Sequence, residues 1–78
     1  MTGHSVRVVA DAIAHYLAAR PESADSPEGI QQWWLRPEGV EVPLALVMDA
    51  LQLLASEGVV ECRRFGGGEV WRRSRGEG

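Results

Sequence analysis

Few residues in this chain are of types that carry out chemistry, and their spacing does not bring them together. The chain has one cysteine, Cys62, and two histidines, His4 and His15. His15 follows Asp11 by one helical turn, and we interpret the two as a solvated pair because no serine or second histidine converges on them. One cysteine and two histidines also provide no cluster of metal ligands. We therefore expect a non-enzymatic protein with no cofactor, no metal and no small-molecule substrate.

Cys62 lies in a short segment that alternates like a strand. It shares its alternation with Val60, so we expect its side chain to point inward as a small apolar residue. The alternative is an exposed thiol whose pKa is lowered by the neighbouring arginines, which would make it a redox sensor.

Positive charge is concentrated at the C-terminal end. Residues 1–61 contain three arginines and nine acids, whereas residues 62–78 contain five arginines and two acids. The arginines predicted to contact a partner are Arg63, Arg64, Arg72, Arg73 and Arg75. They could bind DNA phosphates or an acidic protein surface, or they could form solvated cross-strand pairs with Glu61 and Glu69.

The elements that must position these residues follow from periodicity and from helix start and stop signals. Ser5, Ser26 with Pro27, and Pro43 are each suited to begin a helix. Gly58 is suited to end one, and the glycine triplet that begins at Gly66 suits the tip of a hairpin. The pattern predicts one α+β domain over residues 1–78, with helices at about 6–19, 27–35 and 43–57 and a hairpin at about 59–73.

Two further segments have weaker patterns. Residues 22–25 are polar and indicate a loop, whereas residues 40–42 alternate and precede a proline, which favours an extended backbone. In a three-stranded sheet, residues 40–42 could supply the first strand.

The predicted third helix has two distinct faces. Its buried face is expected to contain Leu44, Val47, Met48, Leu51, Leu54 and Ala55. Its opposite face contains a predicted partner or dimer surface formed by Ala45, Leu46, Asp49 and Leu53. Two interpretations of this surface stay open: other elements of the domain cover the two leucines, or the leucines form an exposed stripe that docks a partner.

The adjacent tryptophans Trp33 and Trp34 lie on one face of the predicted second helix together with Ile30. We expect both to lie in the core. The alternative is that one of them anchors an interface, because two adjacent tryptophans are hard to bury in so small a protein.

The stretch ALQLLASEGVVECRRFGGGEVWR, from Ala50 to Arg72, resembles the third helix and wing of winged helix-turn-helix proteins, and the element order of the chain is similar to theirs. The resemblance implies a three-helix domain with a C-terminal β-hairpin wing. Members of this superfamily bind DNA, dimerise or dock other proteins. In the DNA-reading members the third helix presents polar and basic side chains to the bases, but the outward face here has no arginine, lysine or asparagine.

Two functional hypotheses follow. The first is a regulatory or accessory module that acts through a protein partner or as a homodimer. The second is a DNA-binding transcription regulator that contacts the DNA backbone through its arginine-rich wing.

Composition limits where the protein works. The chain is 45% hydrophobic and 24% charged, as expected for a globular domain. It has no apolar run of the ~20 residues needed to cross a membrane, and its N-terminus does not resemble a signal peptide. A single cysteine suits a reducing compartment, so we expect a cytoplasmic protein.

Overall fold

The computed structural model describes residues 5–74 and consists of three helical segments and a three-stranded antiparallel sheet. This confirms the predicted α+β class. The elements in chain order are α1 (Val6–Ala19), β1 (Ala24–Asp25), α2 (Pro27–Gly29), a π-helix (Ile30–Leu35), a 3₁₀-helix (Arg36–Glu38), α3 (Leu44–Ser56), β2 (Val60–Phe65) and β3 (Gly68–Arg73). No helix within residues 5–74 combines the length and the apolar character that crossing a bilayer requires.

Helix α1 has the predicted bounds, and apolar residues at helical spacing predict a buried stripe of Val6, Val9, Ala10, Ile13 and Leu17. The Ser5 side chain accepts a hydrogen bond from the Val8 backbone N–H at 3.1 Å, and this bond caps the helix N-terminus. Its fully buried residues are Val9, Ala10, Ile13 and Leu17. Val6, at the end of the stripe, is half-buried.

The second helical segment has the predicted bounds, but only its first three residues form an α-helix. Ser26 caps α2 by accepting a hydrogen bond from the Gly29 N–H, and the chain then continues as a π-helix. In a π-helix each N–H bonds to the fifth residue before it, so each residue advances less around the axis than in an α-helix. Leu35, rather than Trp33, therefore joins Ile30 in the core.

Gly29 allows this segment to pass close to the preceding chain. A Cβ atom at position 29 would overlap the side-chain carboxylate of Asp25. That carboxylate accepts a hydrogen bond from the Ser26 N–H at 2.8 Å, which holds it near Gly29. Glycine at this position thus permits the close approach that other residues would obstruct.

Helix α3 runs from Leu44 to Ser56, one residue shorter at each end than predicted, and Pro43 is its N-cap. Its buried residues are Val47, Ala50, Leu51 and Leu54. Ala50, which is not in the predicted buried face, lies in the core, whereas Leu44, Met48 and Ala55, which are in it, are half-buried. The face is rotated because α3 packs chiefly on α1.

The suggestion that residues 40–42 supply the first strand of the sheet was wrong. Residues 40–42 do not form a strand, because the Val40 N–H bonds to the Leu35 carbonyl and the Gln31 side chain donates to the Val42 carbonyl at 2.8 Å. The strand instead comes from Ala24 and Asp25, in the segment predicted to be a loop, and it pairs with β3. The resulting sheet order is β1-β3-β2.

The hairpin has a two-residue turn, Gly66-Gly67, so Gly68 belongs to β3 rather than to the predicted three-glycine tip. Gly66 has a φ of 54° and Gly67 is not in the positive-φ region, as expected for a type II′ turn. The core is one cluster between α1, the π-helix, α3 and the sheet, to which the sheet contributes Val60 and Trp71.

Candidate interaction surfaces

The register of the hairpin assigns each side chain to one of two faces. Residues directly opposite each other in an antiparallel pair point to the same side. Val60 and Trp71 are buried and mark the inner face of the sheet, which packs on the helices. The inner face also includes Cys62, Arg64, Glu69 and Arg73, and the outer face includes Glu61, Arg63, Phe65, Val70 and Arg72.

The predicted partner-binding arginines are therefore divided between the two faces. Arg63 points outward, whereas Arg64 and Arg73 lie on the inner side, and all three are exposed. Within residues 5–74, these three side chains form no ion pair shorter than 4.0 Å. Arg75 lies outside the described residues.

Arg72 is committed to an internal contact. Its Nε donates to Glu61 Oε2 at 2.7 Å, and both side chains are half-buried. These residues are direct cross-strand partners, so this contact confirms the predicted arginine–glutamate pairing at Glu61. Arg72 is consequently less available to a partner than Arg63.

Glu69, the other predicted pairing partner, has a different role. Its Oε1 accepts hydrogen bonds from Trp71 Nε1 at 3.1 Å and from Cys62 Sγ at 3.4 Å. Cys62 is half-buried and packs against the core, in line with its predicted inward direction. Burial and, secondly, the Glu69 carboxylate raise the pKa of the Cys62 thiol. This direction is opposite to the lowered pKa that a redox-sensing thiol would need.

The predicted partner face of α3 is only partly open. Ala45 and Asp49 are exposed, whereas Leu46 and Leu53 are half-buried and pack against the core cluster. The outward stripe of two leucines is thus largely covered by the domain, and the open part of the face is small and acidic. Its use as a docking surface stays a prediction.

The two adjacent tryptophans have opposite environments. Trp34 is 3% exposed and stacks on Tyr16 with 4.4 Å between the ring centroids, and the guanidinium carbon of Arg20 lies over the Tyr16 ring, 4.9 Å from its centroid. Trp33 is 69% exposed. The expectation that both are core residues was wrong for Trp33, because the π-helix turns this side chain out of the buried face.

Two other large apolar side chains are exposed in the described part of the chain. Phe65 is 65% exposed at the hairpin tip, and Val8 is 46% exposed on α1. The position of Phe65 could have been read from the sequence, since it has the opposite alternation to Val60. For Trp33 the available signal was its adjacency to a second tryptophan.

A groove of about 360 Å³ separates the hairpin tip from the starts of α2 and α3. Its lining combines the apolar side chains of Leu44 and Met48 with charges of both signs, from Arg64, Glu28 and Glu69. The mixed lining does not select for a ligand of one charge.

The residues first considered for chemistry lie apart from one another. His15 is exposed on α1, and Asp11 pairs with Arg7 at 3.3 Å rather than with His15. Arg7 also bonds to Glu57 at 2.6 Å, a contact that joins α1 to the end of α3 and raises the pKa of Arg7. Residues 5–74 contain no group of three or more histidine, cysteine and acidic side chains placed to hold a metal ion.

Comparison with known proteins gives no match among protein-family models, curated proteins or solved structures.

Proposed function

We propose that this chain is a non-enzymatic binding module of winged-helix type that works through protein contacts, either with a different protein or with a second copy. The exposed Trp33 is the observation that carries the proposal. A tryptophan offers a large contact area with few side-chain torsions, and exposed tryptophans are enriched among the residues that dominate interface energies. Its neighbour Trp34 is held in the core by stacking, so the exposed ring stands on a fixed support.

The topology supports the winged-helix assignment. Three helical segments are followed by a glycine-turned hairpin, and a short strand after α1 pairs with the far side of that hairpin. A cytoplasmic location is part of the proposal, and the support for it is that Cys62, the one cysteine of the chain, forms no disulfide. We propose a regulatory or accessory role on this basis.

The experiment that tests the proposal compares two serine variants. We expect a protein in native extract to be retained by the immobilised wild-type chain and by Val8→Ser, but not by Trp33→Ser, with retention unaffected by nuclease. Val8 is the matched control because it is also exposed and apolar but lies on a different element. Equal retention by all three chains would refute a role for Trp33.

DNA binding is the second candidate function. The observation in its favour is the set of exposed arginines on the hairpin, Arg63, Arg64 and Arg73, which have no ion-pair partner within residues 5–74. Such side chains can contact phosphates without reading sequence. The test is duplex binding at low salt by the wild type and by Arg63→Ala with Arg64→Ala. These two positions are preferred to Arg72, whose loss would also break the contact to Glu61.

A further inference from the structure

Strand β2 forms one edge of the sheet. The direction in which the N–H and C=O groups of each of its residues point can be assigned. The Ser74 N–H donates to the Val59 carbonyl at 2.9 Å, and the cross-strand register continues unbroken from this pair to the turn. Because hydrogen-bonded pairs alternate in an antiparallel ladder, Glu61, Arg63 and Phe65 also bond toward β3.

The intervening residues of β2 therefore direct their backbone groups away from the sheet. These are Val60, Cys62 and Arg64, and their N–H and C=O groups have no backbone partner within residues 5–74. The strand has six residues, no proline and exposed side chains at its distal half. An open edge of this kind is a template for pairing with another strand.

The order of charged residues along β2 limits the registers in which the β2 strands of two copies can pair. Residues opposite each other in a symmetric antiparallel pair must lie on the same face, so the twofold axis has to pass through a residue position. An axis at Glu61 sets two glutamates against each other, and an axis at Arg63 does the same for two arginines. Directly opposed like charges destabilise a strand pair.

An axis at Cys62 removes both conflicts. It places Glu61 opposite Arg63 of the second copy, twice by symmetry. It also uses the outward N–H and C=O groups of all three edge residues of each copy, and it sets the exposed Phe65 opposite Val59 of the second copy. Charge complementarity, backbone polarity and the exposed aromatic ring thus agree on one register.

We propose that two copies of the chain join through antiparallel pairing of their β2 strands, centred on Cys62, to form one six-stranded sheet. The inference rests on the self-association part of the proposed function and assigns it a surface separate from Trp33.

Charge reversal tests the pairing and its register. Native mass spectrometry should show a wild-type dimer, and Arg63→Glu should raise its dissociation constant about tenfold or more, because both cross-copy pairs become repulsive. Glu61→Arg should act likewise. When the two variants are mixed, the glutamates at positions 61 and 63 of one chain face the arginines at positions 63 and 61 of the other. The heterodimer should therefore form. Arg73→Glu makes the same charge change on β3 and should leave the dimer intact.

A monomeric wild type, or an Arg63→Glu dimer as tight as the wild type, would overturn the proposal. Because Glu61→Arg also removes the contact to Arg72, a second measurement uses the wild type alone. Amide exchange of Val60, Cys62 and Arg64 should slow as protein concentration rises, while the amides of Glu61 and Arg63 should stay protected throughout. Concentration-independent exchange at all five positions would also overturn it. The retention of a protein from extract, measured with and without Trp33 in the Arg63→Glu variant, tests the proposed function separately from dimerisation.

Discussion

Trp33 and Trp34 show how the environment of a residue depends on the local winding of the backbone. At α-helical spacing, Ile30, Trp33 and Trp34 would share a face, but the π-helix brings Leu35 into the core and leaves Trp33 exposed. No side-chain property separates the two tryptophans. Their different roles, one structural and one available to a partner, follow from backbone hydrogen bonding alone.

The different environments of Trp33 and Trp34 predict that replacing each with alanine lowers the free energy of unfolding by a different amount. Trp34→Ala should lower the free energy of unfolding by about 3–5 kcal/mol, because it removes a buried ring and its stacking on Tyr16. Trp33→Ala should change it by no more than about 0.5 kcal/mol. Urea unfolding followed by circular dichroism measures both. Similar losses for the two variants would contradict the assigned exposures.

The Cys62 thiol predicts a pH-dependent reactivity. Because burial and the Glu69 carboxylate raise its pKa, the reactive thiolate is scarce near neutral pH and its fraction grows as pH rises toward and through that pKa. At pH 8, alkylation of Cys62 by iodoacetamide should be slower than that of a solvent-exposed thiol with an ordinary pKa. Glu69→Gln should speed it by removing the negative charge. Unchanged rates in this variant would exclude the carboxylate as a cause.

At the scale of secondary structure, the sequence predicts the helices and strands that are determined by their own residues. Helix α1 and helix α3 follow from apolar spacing and caps, and the hairpin follows from two short apolar-basic runs around glycine. Strand β1 could not be predicted in this way, since Ala24 and Asp25 have no strand pattern and are extended only because β3 offers them an edge. The same limit applies to the π-helix, because apolar spacing in residues 30–35 predicts an ordinary α-helical turn and does not reveal the different winding.

The candidate surfaces were predicted unevenly for the same reason. The exposed arginines of the hairpin follow from charge, but their division between two faces needs the register that Gly66-Gly67 sets. The partner face of α3 was expected from helical period, yet Leu46 and Leu53 are half-buried by neighbouring elements. Tertiary contacts decide how much of a helix face remains open.

The conformation of the hairpin turn predicts different effects of alanine at Gly66 and at Gly67. Gly66→Ala should destabilise the domain by about 1 kcal/mol, because a φ of 54° strains a residue with a Cβ atom. Gly67→Ala is the control, since that residue has no positive φ and nothing lies within 4 Å of the position that an alanine methyl group would take. Thermal unfolding distinguishes the two. Equal effects would mean that the turn has another geometry.

For the molecule as a whole, charge distribution limits how DNA could be held. The body is acidic, and the exposed arginines Arg63, Arg64 and Arg73 do not share one face of the hairpin. A single phosphate backbone can therefore meet only part of the set. The plot of log affinity against log salt should have a slope no steeper than about −2, from one or two phosphate contacts. A steeper slope in fluorescence anisotropy would favour the DNA-binding function.

We propose that the domain works through protein contacts at the exposed Trp33, and photo-crosslinking in cells that express the chain tests this most directly. A photoreactive phenylalanine analogue replaces Trp33 in one chain and Val8 in a control chain, both exposed positions. We predict a discrete protein adduct from position 33 and none from position 8. The absence of any adduct at position 33, or identical adducts at both positions, would contradict the claim.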